Sequence, residues 1–245
     1  MRQERCCVIV PTYNNERTIA DVLRRIASFC RDIIVVNDGC TDHTLQVIEE
    51  AHIEGLTLVS YEKNRGKGHA LMQGFECAIW LGFDYAVTID SDGQHYPEDI
   101  PLLFKAHQDE KDALVVGCRN LTEENMPGKN TFANKFSNFW FRLQTGVKLS
   151  DTQSGYRLYP LKRLNLKWWI TPRYEAELEL LVYSAWHDTK IVQTPVRVYY
   201  PPEGERVSHF RPFRDFFRIS VLNTCLCFAA VVYYLPLKII RKLFR

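Results

Sequence analysis

The chain has 245 residues, of which 46% are hydrophobic and 24% are charged, and its formal net charge is +2. A chain of this length and composition can bury a substantial core, which excludes an intrinsically disordered protein. The small net charge creates no general field that would attract nucleic acid, and no segment matches a nucleic-acid-reading module. Eight cysteines without a C-x-x-C pair, several of them in apolar runs, indicate buried reduced thiols.

The first half of the chain alternates between short apolar runs and amphipathic segments. This alternation predicts an α/β fold with a largely parallel sheet. The N-terminus enters the first strand almost at once, so no signal peptide is expected. The predicted strands are residues 6–10, 32–36, 56–61 and 86–89, and the predicted helices are residues 16–29, 44–51 and 69–81.

Polar clusters follow the first, second and fourth predicted strands, at the point where each strand ends. They read TYNN at residues 12–15, NDGCTD at residues 37–42 and DSDGQH at residues 90–95. Because the carboxyl ends of parallel strands meet at one edge of a sheet, the three clusters are expected to gather there and form a cleft.

Asp90 and Asp92 are the chemically most informative pair in these clusters. Two carboxylates one residue apart are costly unless a positive charge lies between them. A hard divalent cation fits, because Mg²⁺ takes oxygen ligands and is commonly shared between carboxylates and a substrate's phosphates. The alternative is a solvated strand-to-helix turn, since Asp and Gly favour turns and Pro97 begins a helix well.

Four motifs in register resemble those of family 2 glycosyltransferases. They are PTYNNE (residues 11–16), VVNDGCTD (35–42), NRGKGHAL (64–71) and DSDGQH (90–95). Two later segments, GCRN (117–120) and DTQSGYRLYP (151–160), narrow the resemblance to the polyprenyl-phosphate (dolichyl-phosphate) mannose or glucose synthase branch. The resemblance spans residues 5 to about 210. It implies a GT-A fold, a nucleotide-sugar donor of the GDP-mannose or UDP-glucose type, and a polyprenyl-phosphate acceptor.

The resemblance also implies a donor site. The Tyr13 ring would lie against the base or ribose, and Asp38 would accept hydrogen bonds from the base. Asn37 stands where the family often has a second acidic residue, which leaves uracil and guanine both open. Pro11 is expected beside the nucleotide, and Glu16 at the ribose unless it only favours the helix start. Lys67 is expected at a phosphate, unless it is an exposed loop lysine that contacts only water.

By the same resemblance, Asp90 and Asp92 would hold Mg²⁺ or Mn²⁺ across the donor diphosphate, with Gln94 as a third oxygen ligand. Such a cation stabilises the departing nucleoside diphosphate, which makes Asp92 a catalytic candidate. His95 is expected to be structural, because imidazole is a poor ligand for a hard cation.

Arginines are the expected ligands of the acceptor phosphate, because a guanidinium matches phosphate oxygens bidentately. The candidates are Arg119, Arg142, Arg157 and Arg206. Arg119 and Arg206 are preferred by resemblance and are also catalytic candidates, whereas Arg157 could instead support the sheet or Asp151.

A hydroxyl acceptor is an alternative, and it would need a base. Glu175 and Glu177, at the start of a helix predicted at residues 173–187, are available for this role. A non-catalytic nucleotide-sugar binder is a further alternative.

The C-terminal part of the chain predicts membrane association. Residues 1–210 are interpreted as the catalytic domain and residues 211–245 as a basic, hydrophobic tail. Residues 219–237 are almost wholly apolar, and as a helix they would be about 28 Å long. Basic clusters on both sides favour an interfacial or re-entrant helix over a single span.

The expected location is the cytoplasmic face of the cell membrane, with the tail as anchor or peripheral contact. A buried core helix is the alternative for this segment. A helix at residues 129–145 is also predicted, with its aromatic face either in the core or against lipid. The sequence carries no indication of the oligomeric state.

Overall fold

The structure is a computed structural model that describes residues 5–119, 128–200 and 212–243. Within these residues, seven strands form one sheet in the order β3-β2-β1-β4-β6-β5-β7. The strands are β1 (Cys6–Thr12), β2 (Ile33–Asp38), β3 (Leu56–Tyr61), β4 (Tyr85–Thr88), β5 (Leu114–Arg119), β6 (Arg157–Pro160) and β7 (Ile191–Val196).

The sheet is mostly parallel, as the alternating pattern predicts. Strands β1 to β4 are mutually parallel, and β5 is parallel to β7. Strand β6 is antiparallel to both of its neighbours, β4 and β5. The sequence pattern did not reveal β6, because it has only four residues and begins with a buried arginine.

Helices cover both faces of the sheet. They are α1 (Ile19–Ala27), α2 (Thr44–Glu50), α3 (Lys67–Trp80), α4 (Ile100–Asp109), α5 (Gly128–Thr145), α6 (Ala176–Trp186), α7 (Pro212–Ala229) and α8 (Leu235–Leu243). Successive residues of β1 point to opposite faces, so Val8 and Val10 enter the core under α1 and α4. Cys7 and Ile9 enter the second core, under α3, α5 and α6.

The C-terminal helix shares that second core. Helix α7 continues through one π-helical stretch, Ala230–Tyr234, into α8. Leu226, Ala230 and Tyr234 are buried in the core, and the Tyr234 ring stacks on Trp186 with 5.4 Å between centroids. The predicted domain boundary at residue 210 lies outside the described residues, and the helix beyond it packs into the second core.

The opposite side of this helix is apolar and exposed. Phe217 is 68% exposed and Phe228 71% exposed. Residues Arg214–Ile240 form the one helix of the described residues that is long and apolar enough to cross a membrane, and only 17% of its most apolar stretch is buried. Helix α5 is similarly divided, because Phe141 is in the core whereas Phe139 is 60% exposed.

Candidate active site

The polar clusters after β1, β2 and β4 meet at one edge of the sheet, as predicted. Asn15 donates through Nδ2 to Oγ of Ser91 at 2.9 Å, and Ser91 Oγ donates to the Pro11 carbonyl at 3.0 Å. The Asn15 backbone N–H donates to Oγ1 of Thr44 at 2.8 Å, which ties in the start of α2. Three loops from separate strands are therefore bonded into one surface.

The residues predicted to border the nucleotide lie in the first of these loops. Pro11 is buried at the end of β1 beside Val36, and Tyr13 is half-buried. Glu16 accepts a hydrogen bond from the His43 backbone N–H at 3.0 Å, so its carboxylate supports the start of α2. The observed contact is therefore to a neighbouring helix, and a contact with the ribose stays a prediction.

Asp38 organises the loop that precedes α3. Its carboxylate is 3% exposed and accepts hydrogen bonds from the backbone N–H groups of Arg65 at 2.7 Å and Gly66 at 2.9 Å. Asn64 donates to the same carboxylate through Nδ2 at 2.9 Å. Gly66 has a φ of 102°, which favours glycine, and a Cβ there would lie 2.7 Å from the Pro172 carbonyl oxygen. The predicted contact of Asp38 with the base stays a prediction; its observed role is to shape this loop.

Asn37 is likewise bonded within the protein. Its side-chain Nδ2 donates to Oγ of Ser60 at 2.9 Å, and its Oδ1 accepts from the Cys40 backbone N–H at 2.9 Å. The Asn37 amide therefore stabilises the turn after β2 by donating one hydrogen bond and accepting another. A carboxylate at this position could accept but not donate.

Lys67, the first residue of α3, lies between two carboxylates. Its Nζ is 2.7 Å from Oδ1 of Asp90 and 3.1 Å from Oε2 of Glu177. Burial opposes the charge on the ammonium, but Asp90 and Glu177 outweigh it and hold the pKa of Lys67 above its ordinary value. Burial likewise opposes the charge of Asp90, yet Lys67 keeps the pKa of that carboxyl below its ordinary value. Lys67 is thus a fixed cation beside the first aspartate of the D-x-D pair, not an exposed loop lysine.

Among the residues that the structure describes, no cation is in contact with Asp92. Its Oδ1 accepts a hydrogen bond from the Gln94 backbone N–H at 2.9 Å. Burial, followed by the nearby charge of Asp90, raises the pKa of Asp92 to about 6. A carboxylate whose ionised form is disfavoured in this way is a place where an added cation would be stabilised.

The donor set at this loop suits a hard divalent cation held jointly with a ligand. Asp90 and Asp92 offer carboxylate oxygens and Gln94 an amide oxygen, which are ligand types that Mg²⁺ and Mn²⁺ take. Among the residues that the structure describes, no group of three or more His, Cys, Asp or Glu side chains could hold a metal by itself. The residues therefore fit a cation whose remaining ligands come from a substrate.

Arg119, predicted to bind the acceptor phosphate, forms a bidentate ion pair with Asp151. Its Nε is 2.6 Å from Oδ2 and its Nη2 is 2.8 Å from Oδ1 of a carboxylate that is fully buried. Asn134 of α5 donates to the same carboxylate at 2.6 Å. Burial opposes the charge of Asp151, but Arg119 outweighs it and holds the pKa of the carboxyl below its ordinary value. Arg119 is thereby held rigidly, with 17% of its side chain exposed.

Arg157 does not fit the role of a phosphate ligand. The residue is completely buried, and its guanidinium donates to three main-chain carbonyls, those of Thr152, Ser154 and Glu177. It also donates to the Tyr159 hydroxyl at 3.2 Å. The prediction of an acceptor contact is wrong for this residue, because its donors are used to join β6 to α6.

The structure does not test the other two candidate ligands of the acceptor phosphate, Arg142 and Arg206. Arg142 is exposed on α5, and it lies about 12 Å along the helix from Asn134. Its role at the acceptor stays a prediction. Arg206 lies outside the described residues.

The acidic residues of α6 have separate environments. Glu179 accepts hydrogen bonds from the backbone N–H groups of Ile170 at 3.0 Å and Thr171 at 2.8 Å, so it is structural. Glu175 is 5% exposed and precedes the first turn. Of the two proposed bases, Glu177 is the one that contacts Lys67.

His95 is the last residue of the DSDGQH segment and packs against Tyr156. It is 7% exposed, its ring lies 5.2 Å from that of Tyr156, and burial lowers its pKa to about 4. Its backbone bridges to Val198, and the adjacent Gln94 carbonyl accepts from the Tyr199 N–H at 2.7 Å. These contacts join the D-x-D loop to the segment after β7.

Sequence reasoning missed two features of the site. Gly155 was noted only as part of a motif, yet a Cβ there would lie 2.6 Å from Oε1 of Glu177 and 2.8 Å from Nζ of Lys67. Asp151 was not identified as the partner of Arg119. Both lie in the segment DTQSGYR, whose density of polar and small residues just before a strand was the available signal.

The sequence pattern described as "Glycosyl transferase family 2" matches residues 7–162, more than half of the chain. The chain belongs to this family. A dolichyl-phosphate N-acetylglucosaminyltransferase that uses UDP-N-acetylglucosamine, from Methanococcus voltae, is 30% identical over 213 residues, covering 79% of this chain and 85% of the relative. A polyprenol monophosphomannose synthase from Mycolicibacterium smegmatis is 28% identical over 204 residues, covering 79% and 77%.

Solved structures share the fold of this glycosyltransferase. Glucosyl-3-phosphoglycerate synthase from Mycobacterium tuberculosis superposes with a TM-score of 0.67 at 22% identity, covering 93% of this chain and 80% of that one. The mannosyltransferase PcManGT from Pyrobaculum calidifontis, in complex with GDP-Man and Mn²⁺, gives a TM-score of 0.56 at 18% identity, covering 94% and 74%. The GT-A fold and the family suggested by the motifs are therefore confirmed.

Replacement of Asp38 by asparagine tests its role in shaping the loop. An amide cannot accept at both of its polar atoms, so a buried N–H of the loop loses its partner. We expect Asp38→Asn to lower the free energy of unfolding, measured in urea without nucleotide, by about 1–3 kcal/mol. Asp21→Asn, at a side chain that is 71% exposed, is the matched control. A wild-type unfolding free energy for Asp38→Asn would mean that Asp38 serves the ligand only.

Replacement of Asp92 by asparagine is expected to stabilise the ligand-free protein. The change removes a carboxylate whose ionisation is opposed by burial and by Asp90, so the melting temperature at pH 8 should rise by roughly 2–4 °C. Because the pKa of Asp92 is about 6 in the folded protein, the wild type regains this stability as the pH falls through that value. Scanning calorimetry at pH 5 and pH 8 measures both effects, and an equal difference at the two pH values would contradict the electrostatic explanation.

Proposed function

We propose that this glycosyltransferase moves a hexose from a nucleotide sugar of the GDP-mannose or UDP-glucose type to a polyprenyl phosphate, with inversion at the anomeric carbon. The observation that carries the proposal is the loop of Asp90 and Asp92, which lies beside Lys67 and is hydrogen-bonded to the loop after β1 and to the Pro11 carbonyl of β1. One similar protein acts, by its name, on dolichyl phosphate, and another is named a polyprenol monophosphomannose synthase.

The donor side would work through charge. Asp90 and Asp92, with Gln94, would hold Mg²⁺ or Mn²⁺, and the bound cation would neutralise charge on the departing nucleoside diphosphate. Lys67 adds a fixed ammonium within 2.7 Å of Asp90. These groups would lower the barrier mainly by stabilising the leaving group, since the site already holds its charges in place.

The acceptor side would work through alignment. A lipid phosphate is already anionic, so an oxygen of it can attack the anomeric carbon without a strong base, while the bond from that carbon to the diphosphate oxygen breaks. Arg119 would hold the acceptor phosphate, and its pairing with Asp151 keeps the guanidinium in one orientation. Arg206 remains a second proposed ligand.

A hydroxyl acceptor is the second candidate, because Glu177 lies in the site. The carboxylate is within 3.1 Å of the Lys67 ammonium, and its side chain is only 10% exposed. This arrangement uses one carboxylate oxygen in an ion pair, which favours the phosphate acceptor over a base-dependent reaction.

The C-terminal helix would hold the enzyme at the cytoplasmic membrane surface. Its buried residues extend from Asp215 to Tyr234, so one side is occupied by the catalytic domain along most of its length. A perpendicular span would carry that domain into the hydrocarbon layer, where its polar groups would be unsatisfied. An orientation in the plane of the interface places the exposed phenylalanines in lipid and Arg214 and Arg218 near anionic headgroups.

A transfer assay tests the reaction. Purified protein in detergent is incubated with a panel of nucleotide sugars, polyprenyl phosphate and either Mg²⁺ or Mn²⁺, and a glycolipid product is sought by mass spectrometry. We expect product from one donor, its loss with a chelator, and at least a hundredfold lower rate for Asp92→Asn.

Replacing the polyprenyl phosphate by the corresponding polyprenol separates the two acceptor classes. Transfer to the alcohol alone would contradict the phosphate acceptor. Normal turnover by Asp92→Asn, or in the presence of the chelator, would contradict the cation.

Vesicle binding tests the membrane surface. The double substitution Phe228→Asp and Val231→Asp changes two side chains that are 71% and 65% exposed, so the fold should persist. We expect its affinity for vesicles with 30% anionic lipid to fall by at least about tenfold, because each lost apolar side chain removes more than 1 kcal/mol of transfer free energy.

Trp80→Asp, at a residue on α3 that is 84% exposed, is the control and should bind as the wild type does. Equal losses in both variants would show that general surface hydrophobicity, and not the C-terminal helix, causes binding.

A further inference from the structure

Helices α3 and α6 begin at the same point beside the D-x-D loop. Lys67 is the first residue of α3, and Glu177 is the second residue of α6. The two helix ends approach closely: a Cβ on Gly68 would lie 2.5 Å from Cβ of Ala176, and the His69 N–H donates to the Pro172 carbonyl at 2.9 Å. The backbone therefore fixes the start of both side chains.

Gly155 lies next to the two charged groups, and its lack of a side chain leaves space for them. A Cβ there would lie 2.6 Å from Oε1 of Glu177, 2.8 Å from Nζ of Lys67 and 3.2 Å from Oδ2 of Asp90. Its φ is outside the left-handed region, so the backbone does not require glycine. The requirement is instead for space, since a methyl group would displace the ion pair.

The two oxygens of Glu177 differ. Oε2 contacts the Lys67 ammonium at 3.1 Å, whereas Oε1 is buried against Gly155 and has no hydrogen-bond partner within the described part of the chain. The side chain as a whole is only 10% exposed. The contacts of Glu177 are those of a residue that acts on Lys67.

We infer that Glu177 is a positioning residue for the donor's diphosphate: it holds the Lys67 ammonium at the D-x-D loop, and Gly155 leaves the room in which the pair forms. The inference rests on the proposed donor site. Without Glu177, Lys67 would have Asp90 as its single carboxylate partner in this cluster and would compete with any cation for that carboxylate. With Glu177, the ammonium keeps its position when Asp90 takes another ligand and can meet a phosphate oxygen.

A double-mutant cycle tests this inference by binding. The affinities of the full-length protein for GDP and for UDP are measured by calorimetry, with Mn²⁺ and with chelator, for the wild type, Lys67→Gln, Glu177→Gln and the double variant. We expect each single substitution to weaken binding of the preferred nucleotide in Mn²⁺ by about tenfold, and the double variant to bind no more weakly than Lys67→Gln. Glu76→Gln, the same change at an exposed residue of α3, is the control.

Additive losses in the cycle would overturn the inference, since Glu177 would then act independently of Lys67. Normal nucleotide binding by Glu177→Gln, combined with a hundredfold lower kcat and loss of the acidic limb of its pH profile, would also overturn it and identify a base. If the wild type transfers sugar and binds nucleotide but the effects are additive, this inference alone fails. If the wild type does neither, the proposed function fails and this inference with it.

Gly155→Ala provides a second route if Glu177→Gln unfolds, which thermal melting would reveal. The added methyl group should weaken nucleotide binding by displacing the pair, and it should have little effect in the Lys67→Gln background. An equal loss in both backgrounds would contradict a role through Lys67.

Discussion

The site depends on the crowding of two carboxylates at the end of a buried strand. Asp90 and Asp92 lie one residue apart, and within the described residues only Asp90 has a cation in contact. The energetic cost of the second charge is visible in the pKa of Asp92, which burial and Asp90 raise to about 6. Stability alone would not favour this arrangement. Under the proposed function, a cation and an anionic ligand that bind together would offset this cost.

The surrounding structure holds these charges in place. Asp38 shapes the loop from which Lys67 begins α3, and Ser91 joins the D-x-D loop to β1. Arg157 bonds β6 to α6 and so fixes the helix that carries Glu177. A site built from backbone-bonded loops loses little entropy on binding, which suits a reaction driven by charge stabilisation.

Sequence reasoning predicted the fold well where periodicity decides it. The first four strands, the helices between them and the meeting of three polar loops followed from apolar runs and turn residues. It failed where a long-range contact decides the outcome. The ion pair of Lys67 with Glu177 and the hydrogen bond from Arg157 to the Glu177 carbonyl were not predicted, because Glu177 is distant in sequence from both residues. The antiparallel direction of β6 likewise depends on the point at which the chain after α5 re-enters the sheet, between β4 and β5.

Manganese binding, followed by electron paramagnetic resonance, tests the central claim most directly. The described residues include no group of three or more His, Cys, Asp or Glu side chains that could hold a metal. We therefore expect Mn²⁺ to bind weakly to the wild type alone and at least tenfold more tightly in the presence of GDP or UDP. Asp92→Asn should abolish this gain. Mn²⁺ binding that is unaffected by either nucleotide, or a gain that persists in Asp92→Asn, would contradict a cation shared between the D-x-D loop and the donor's diphosphate.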